Sequence, residues 1–252
     1  MLEIRNLSKT YPDGTEALKN ISFTVPDGQF LVLIGLSGSG KSTLLRCINR
    51  LVEPTSGDVI WNGKNITTAS NTELRRHRRE IGMIFQHFNL VKRLNVLTNV
   101  ITGHLGYGGG IRALLNWWPE EVKEEAMRNL KRVGITEKGW NRADALSGGQ
   151  QQRVGIARAM MQKPKMMLAD EPVASLDPAL SHTIMDYLKD LNKKDGITVI
   201  CSLHFLSLAR EYGDRIIALK AGEIVFDGSP ALIDEARFME IYGDEAVEVE
   251  IR

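Results

Sequence analysis

The stretch FLVLIGLSGSGKSTLLR, residues 30–46, carries the clearest chemistry in this 252-residue chain. Gly35, Leu36, Ser37, Gly38, Ser39, Gly40, Lys41 and Ser42 fit G-x-x-x-x-G-K-[ST], and Thr43 follows directly. Glycines so placed let consecutive backbone N–H groups converge on a phosphate chain at the positive end of a helix. Lys41 would then reach the β- and γ-phosphates, and Ser42 would hold Mg²⁺. A second cluster lies in MMLADEP, residues 166–172, where four apolar residues deliver Asp170 and Glu171 to the end of a strand. Beside a phosphate loop, one carboxylate suits the metal's shell and the next suits polarising an attacking water.

Other candidates draw their meaning from position. Gln86 ends the apolar run IGMIF, residues 81–85. A polar amide at the carboxyl end of a strand lies where α/β sheets bind ligands, although a plain loop residue would read the same way. His204 comes three residues after the buried run ITVIC, residues 197–201, and is either structural or part of that same edge. Tyr11 precedes the turn Pro12-Asp13-Gly14, where its ring could pack into the protein or stack on a base. In LSGGQ, residues 146–150, Ser147, Gly148, Gly149 and Gln150 stand at the start of a helix. Ser147 is a good N-cap, so a capped helix and a second anion site are both open readings. The two glycines weaken that helix start without a packing reason visible in the sequence.

Positioning these groups requires strands at 2–7, 21–25, 30–34, 58–61, 81–85, 166–169, 197–201, 215–219 and 223–227, the first two antiparallel and the last two a hairpin. Helices are predicted after the phosphate loop and at 72–79, 96–105, 119–133, 150–161 and 178–194, with a glycine-rich break at 106–110. Pro119 suits a first helical position, with Glu120 and Glu121 in the first turn. Residues 87–142 read as a helical subdomain inserted into the sheet, with Trp117-Trp118 as internal packing or a partner surface. The cluster Arg75, Arg76, Arg78 and Arg79 reads as a solvated helix face rather than a nucleic-acid patch. Lys plus Arg total 32 against 31 Asp plus Glu, so the net charge of +1 gives no general attraction to nucleic acid or anionic membrane. Cys47 and Cys201 lie far apart in apolar surroundings, which predicts buried thiols in a reducing compartment. MLEIRNLSKTY lacks a signal pattern, and no stretch approaches the ~20 apolar residues of a membrane span. A chain neither secreted nor membrane-spanning by itself is expected.

Taken in order, GLSGSGKST, Gln86, LSGGQ, LADE and His204 resemble the ATP-binding subunit of an ABC transporter, and the likeness runs over nearly the whole chain. LSGGQ followed by QQRVGIARAM is the part that P-loop kinases and GTPases lack. The resemblance implies an α/β P-loop NTPase fold: a RecA-like mixed-sheet core with an antiparallel β subdomain and an inserted α-helical subdomain. It implies one nucleotide-binding domain over 1–252, with 1–90 and 160–245 as the core, about 91–159 as the helical part and 246–252 as a tail. ATP and Mg²⁺ are the implied cofactors. Tyr11 would stack on adenine, residues 35–43 would bind the phosphates, and Ser42, Gln86 and Asp170 would attend the metal. Glu171 would be the general base and His204 the γ-phosphate switch. Two copies would pair head to tail, so that Ser147, Gly148, Gly149 and Gln150 complete the partner's site and Asp177 communicates across the interface. Phe205 departs from the family pattern, in which a polar or acidic residue often follows the histidine.

A finer likeness, in FQHFNLVKRLNVLTNVITGHLG, in the long segment through Trp117-Trp118 and in RADALSGGQQQRVGIARAMMQKPKMMLADEPVASLDP, is to phosphonate-importer ATPases. It implies a peripheral subunit on the cytoplasmic face of the cell (inner) membrane, partnered by a separate permease and indirectly by a solute-binding protein, with no nucleic acid. Residues 87–99 would receive the channel's coupling helix. Import of another solute, such as phosphite, phosphate or an amino acid, and a non-transport ABC ATPase or scaffold are the alternative readings.

Overall fold

The structure, a computed structural model, describes residues 1–108 and 117–243. Its centre is β3 (Phe30–Ile34), whose five residues are all buried. Because successive strand side chains point to opposite faces, Phe30, Val32 and Ile34 enter one hydrophobic cluster while Leu31 and Leu33 enter another. That alternation explains why the run is continuously apolar: both faces of the strand are covered.

Two sheets share this arrangement. An antiparallel sheet in the order β2-β1-β4-β5 is built from β1 (Leu2–Thr10), β2 (Glu16–Val25), β4 (Ser56–Trp61) and β5 (Lys64–Asn65). The six-stranded sheet has the order β10-β9-β3-β8-β7-β6 and uses β6 (Ile81–Ile84), β7 (Met166–Asp170), β8 (Thr198–Ser202), β9 (Arg215–Lys220) and β10 (Glu223–Gly228). Its strands pair in parallel except β10, which runs antiparallel to β9 at the edge. Leu33 and Asp170 both sit opposite Ser202, and Ile84 sits opposite Ala169. The register therefore brings the ends of four strands, β3, β6, β7 and β8, to one edge.

Among the described residues, the α-helices are α1 (Lys41–Ile48), α2 (Asn71–Glu80), α3 (Val96–Ile101), α4 (Glu120–Arg132), α5 (Gly148–Met160), α6 (Pro178–Asp195), α7 (Leu206–Tyr212) and α8 (Glu235–Tyr242). Val96, Val100, Leu130 and Ile156 of α3, α4 and α5 lie in the same cluster as Phe30, Met167 and Val199 of the sheet. On the opposite face, Leu44 and Leu45 of α1 join Leu2, Ile21 and Trp61 of the antiparallel sheet.

Several details differ from the sequence reading. Pro119 is the N-cap of α4 rather than its first helical residue. The predicted helix at 96–105 is α only to Ile101, then tightens to a 3₁₀ turn at Thr102–Tyr107. The tryptophan pair divides: Trp118 is 6% exposed and packs in the core, whereas Trp117 is 72% exposed. Arg75 and Arg76 are exposed, but Arg78 donates to the carbonyls of Asn49 at 3.1 Å and Arg50 at 2.6 Å, tying α2 to the end of α1. Gly109, Gly110 and the tail at 246–252 lie outside the described residues.

Candidate functional site

Gly35 and Gly40 are where the loop after β3 needs glycine. With φ of +136°, a Cβ on Gly35 would lie 2.1 Å from the Leu219 carbonyl oxygen of β9. With φ of +108°, one on Gly40 would lie 2.4 Å from the Ala17 oxygen of β2. Only a residue without a Cβ lets those backbones approach so closely. Gly40 is the N-cap of α1 and supplies no side-chain cap, and the first turn holds no acidic residue. The amides at the helix's positive end are thus left to an external anion.

A cleft of about 560 Å³ opens over this helix start. Residues 14–17, 37–43, Gln86 and Glu171 are among its lining. Lys41 is only 3% exposed, and its Nζ donates to the carbonyl oxygens of Gly35 at 2.7 Å and Leu36 at 3.0 Å. Burial pulls its pKa below the ordinary lysine value, while Glu171 and Asp170 oppose that pull. Tyr11 stands beside the loop, its hydroxyl 3.2 Å from Thr43 Oγ1 and its ring under Lys9 Nζ.

The acidic pair sits where the sheet register ends. Asp170, the last residue of β7, is fully buried. Its Oδ1 accepts the Ser42 hydroxyl at 2.7 Å and the Ser202 hydroxyl at 3.3 Å, and its Oδ2 meets Arg46 Nη2 at 3.2 Å. A buried carboxylate requires such partners. Glu171 then leaves the strand at φ of +49°, and its side chain enters the cleft. Its Oε2 accepts Gln86 Nε2 at 2.8 Å, and its Oε1 is 2.7 Å from His204 Nε2. The structure thus brings Lys41, Ser42, Gln86, Asp170, Glu171 and His204 together at one edge. Phe205, in the departing position, is the N-cap of α7 without a side-chain cap bond, and its ring packs against the core.

Ser42, Asp170 and Gln86 offer hydroxyl, carboxylate and amide oxygens, the hard donors that Mg²⁺ prefers. Among the described residues, no group of three or more His, Cys, Asp or Glu side chains could hold a metal. A cation held by Ser42, Gln86 and Asp170 would take its remaining ligands from water and phosphate, as Mg²⁺ commonly does.

The remaining candidates do not line this cleft. Ser147 caps α5 in a reciprocal capping box: its Oγ accepts the Gln150 N–H, and Gln150 Oε1 accepts the Ser147 N–H at 3.1 Å. The capped-helix reading is therefore realised. Gly149 also has the packing reason that the sequence did not show, since a Cβ there would fall 1.9 Å from Leu180 Cδ2 of α6. Asp177 caps α6, its Oδ1 accepting the Leu180 N–H at 3.0 Å. Gly148 and Ser147 remain exposed on the surface.

Sequence reasoning missed two neighbours of the site, Arg46 and Ser202. Arg46 lies four residues after Ser42, hence on the same face of α1, and Ser202 is a polar residue in an otherwise apolar strand end. Either pattern could have flagged them.

Residues 18–174 match the ABC transporter family. The chain belongs to that family. It is an ABC-type ATPase with the P-loop NTPase fold that its motifs implied. The phosphonates import ATP-binding protein of Bdellovibrio bacteriovorus is 56% identical over 250 residues, covering 99% of this chain and 96% of the relative. A phosphonates import ATP-binding protein of Halalkalibacterium halodurans is 54% identical over 243 residues, covering 96% and 94%. Among solved structures, the dimeric post-hydrolysis state of the ATP-binding cassette MJ0796 bound to ADP and Pi aligns with a TM-score of 0.80 at 38% identity, covering 91% of this chain and 99% of that one. A nucleotide-free cassette from an ABC transporter aligns at 0.81 and 30% identity, covering 97% and 96%. Among the described residues of this ABC protein, no helix is long and apolar enough to cross a membrane.

Proposed function

We propose that this chain is the ATP-hydrolysing subunit of a phosphonate importer, working as a head-to-tail dimer on the cytoplasmic face of the cell membrane beneath a separate permease. The observation that carries the substrate is identity of 53–56% over nearly the full length to proteins named for phosphonate import. A permease and a solute-binding protein are the implied partners, with residues 87–99 as the docking segment.

The geometry supports the hydrolytic roles. Phosphates entering the cleft would meet the uncapped amides of α1, and the Lys41 ammonium would exchange two carbonyl partners for phosphate oxygens. Ser42, Gln86 and Asp170 would hold Mg²⁺, which when bound would neutralise charge at the phosphates. Both Glu171 oxygens are engaged by Gln86 and His204, the residues assigned to the metal and the γ-phosphate. Once those two turn to their ligands, the carboxylate is free to accept a proton from the attacking water. Tyr11, its hydroxyl 3.2 Å from Thr43 Oγ1, would cover the base. Ser147, Gly148, Gly149 and Gln150, lying off the chain's own cleft, would close the nucleotide site of a second copy, with Asp177 on the same surface.

Uptake of radiolabelled phosphonate, phosphate and phosphite into vesicles holding the assembled complex tests this reading, with Glu171→Gln as control. ATP-dependent phosphonate uptake that the control abolishes is expected. ATP hydrolysis accompanied by uptake of another anion and no phosphonate would overturn the substrate assignment.

A further inference from the structure

Strand β8 reads TVICS and all five residues are buried, Ser202 completely. A buried hydroxyl is unfavourable unless hydrogen-bonded, and Ser202 uses both of its capacities on the acidic pair. Its Oγ accepts the Glu171 N–H at 2.9 Å and donates to Asp170 Oδ1 at 3.3 Å. The parallel ladder of β7 and β8 ends with Asp170 opposite Ser202. Glu171, the next residue, adopts φ of +49°, a conformation that a residue with a side chain holds only when its surroundings fix it. That turn sends the Glu171 carboxylate to Gln86 and His204. The same hydroxyl shares Asp170 Oδ1 with Ser42. At the other end of β8, the Thr198 hydroxyl also accepts an amide, from Gly28 at 2.9 Å, and thereby anchors a loop instead.

We propose that Ser202 is a positioning residue for ATP hydrolysis, fixing the Glu171 backbone and the Asp170 carboxylate through one hydroxyl. This rests on the hydrolytic role assigned to Glu171. Replacing the hydroxyl releases the Glu171 turn, so the carboxylate loses its aim while the phosphate loop stays intact. Misplacement of a reacting group by about 1 Å costs on the order of 100-fold in rate, so a loss of roughly 10- to 100-fold in kcat is expected for Ser202→Ala. KM for ATP should change far less, because α1 and Lys41 are untouched.

The experiment compares full-length wild type, Ser202→Ala, Ser202→Thr and Glu171→Gln below the unfolding temperature of each, with ATPase kinetics and amide hydrogen exchange at Glu171 as readouts. Ser202→Ala should lower kcat and speed exchange of the Glu171 amide, while Ser202→Thr, which keeps the hydroxyl, should preserve both. Unchanged kcat or unchanged Glu171 exchange in Ser202→Ala would overturn the proposal, as would a threonine variant as impaired as the alanine one. Retained turnover in Glu171→Gln would instead overturn the role of Glu171 on which it rests.

Discussion

Alanine at Gly149 should destabilise the protein, and the sign should reverse when Leu180 is shortened. Gly149 lies in the first turn of α5, where Gly→Ala ordinarily favours the helix by up to about 1 kcal/mol. Here the new Cβ would lie 1.9 Å from Leu180 Cδ2 and 2.9 Å from its Cγ. Carbon atoms pack at about 3.5 Å or more, so α5 and the Leu180 side chain must part by roughly 1.6 Å. Such overpacking costs about 1–3 kcal/mol, which exceeds the helix gain and leaves a net loss of about 1 kcal/mol. For a chain of this size that is a fall of about 2–4 °C in melting midpoint. In a Leu180→Ala background the obstacle is gone, and the same substitution should stabilise by up to about 1 kcal/mol. Thermal melts of the four proteins read the cycle. A stabilising Gly149→Ala in the wild-type background, or an equal loss in both, would refute the packing account of this glycine.

Further outcomes follow from charge and burial. The buried Lys41 ammonium has a pKa below the ordinary lysine value, chiefly because of burial, and bound phosphate should raise it. MgATP binding should therefore take up a proton at alkaline pH, and affinity should fall as pH rises through the lowered value. Calorimetry in buffers of different ionisation enthalpy checks this, and the absence of proton uptake would contradict it. In the free chain the sign is opposite: the unfolded lysine holds its proton longer, so this group's contribution to stability rises with pH between the lowered value and about 10.4. Burial raises the Asp214 pKa, but the Phe30 N–H, Lys193 and Lys189 outweigh it and hold the carboxyl below its ordinary value. Asp214→Asn should then cost on the order of 1 kcal/mol at neutral pH. The deficit should shrink as pH falls below about 3.9, which denaturant titrations at pH 7 and pH 3 will show. Burial raises the Cys47 thiol to about 12 and raises that of Cys201 as well. Neither should be alkylated by iodoacetamide at pH 8 until the chain is unfolded, as mass spectrometry can read.

Much of this site was legible because its motifs stand at strand ends. The apolar runs before Gly35, Gln86 and Asp170 read as strands, and the parallel register that the structure gives them gathers their ends at one edge. The Ser147 cap was equally readable, whereas the caps that Ser70 and Asp177 supply to α2 and α6 emerged only with the structure. What stayed hidden depends on contacts across the chain. Gly149 looks like a helix defect until Leu180, from a different helix, is brought against it. Arg78 looks solvated until the end of α1 presents its carbonyls. Trp117 and Trp118 are identical in composition and opposite in burial, because only the backbone direction at that point assigns their faces. Ser202 reads as a strand terminus, and its meaning appears only when the ladder stops at Asp170 and Glu171 turns out of the sheet.

In the proposed cycle, two copies close on ATP and hydrolysis assisted by Glu171 reopens them. Its most direct test is the molecular mass and bound-nucleotide content of Glu171→Gln with MgATP, measured by light scattering after gel filtration. A stable dimer carrying two ATP molecules is expected, with the wild-type protein returning to monomers as ATP is consumed. A variant that stays monomeric with MgATP bound, or that still turns ATP over at the wild-type rate, would contradict it.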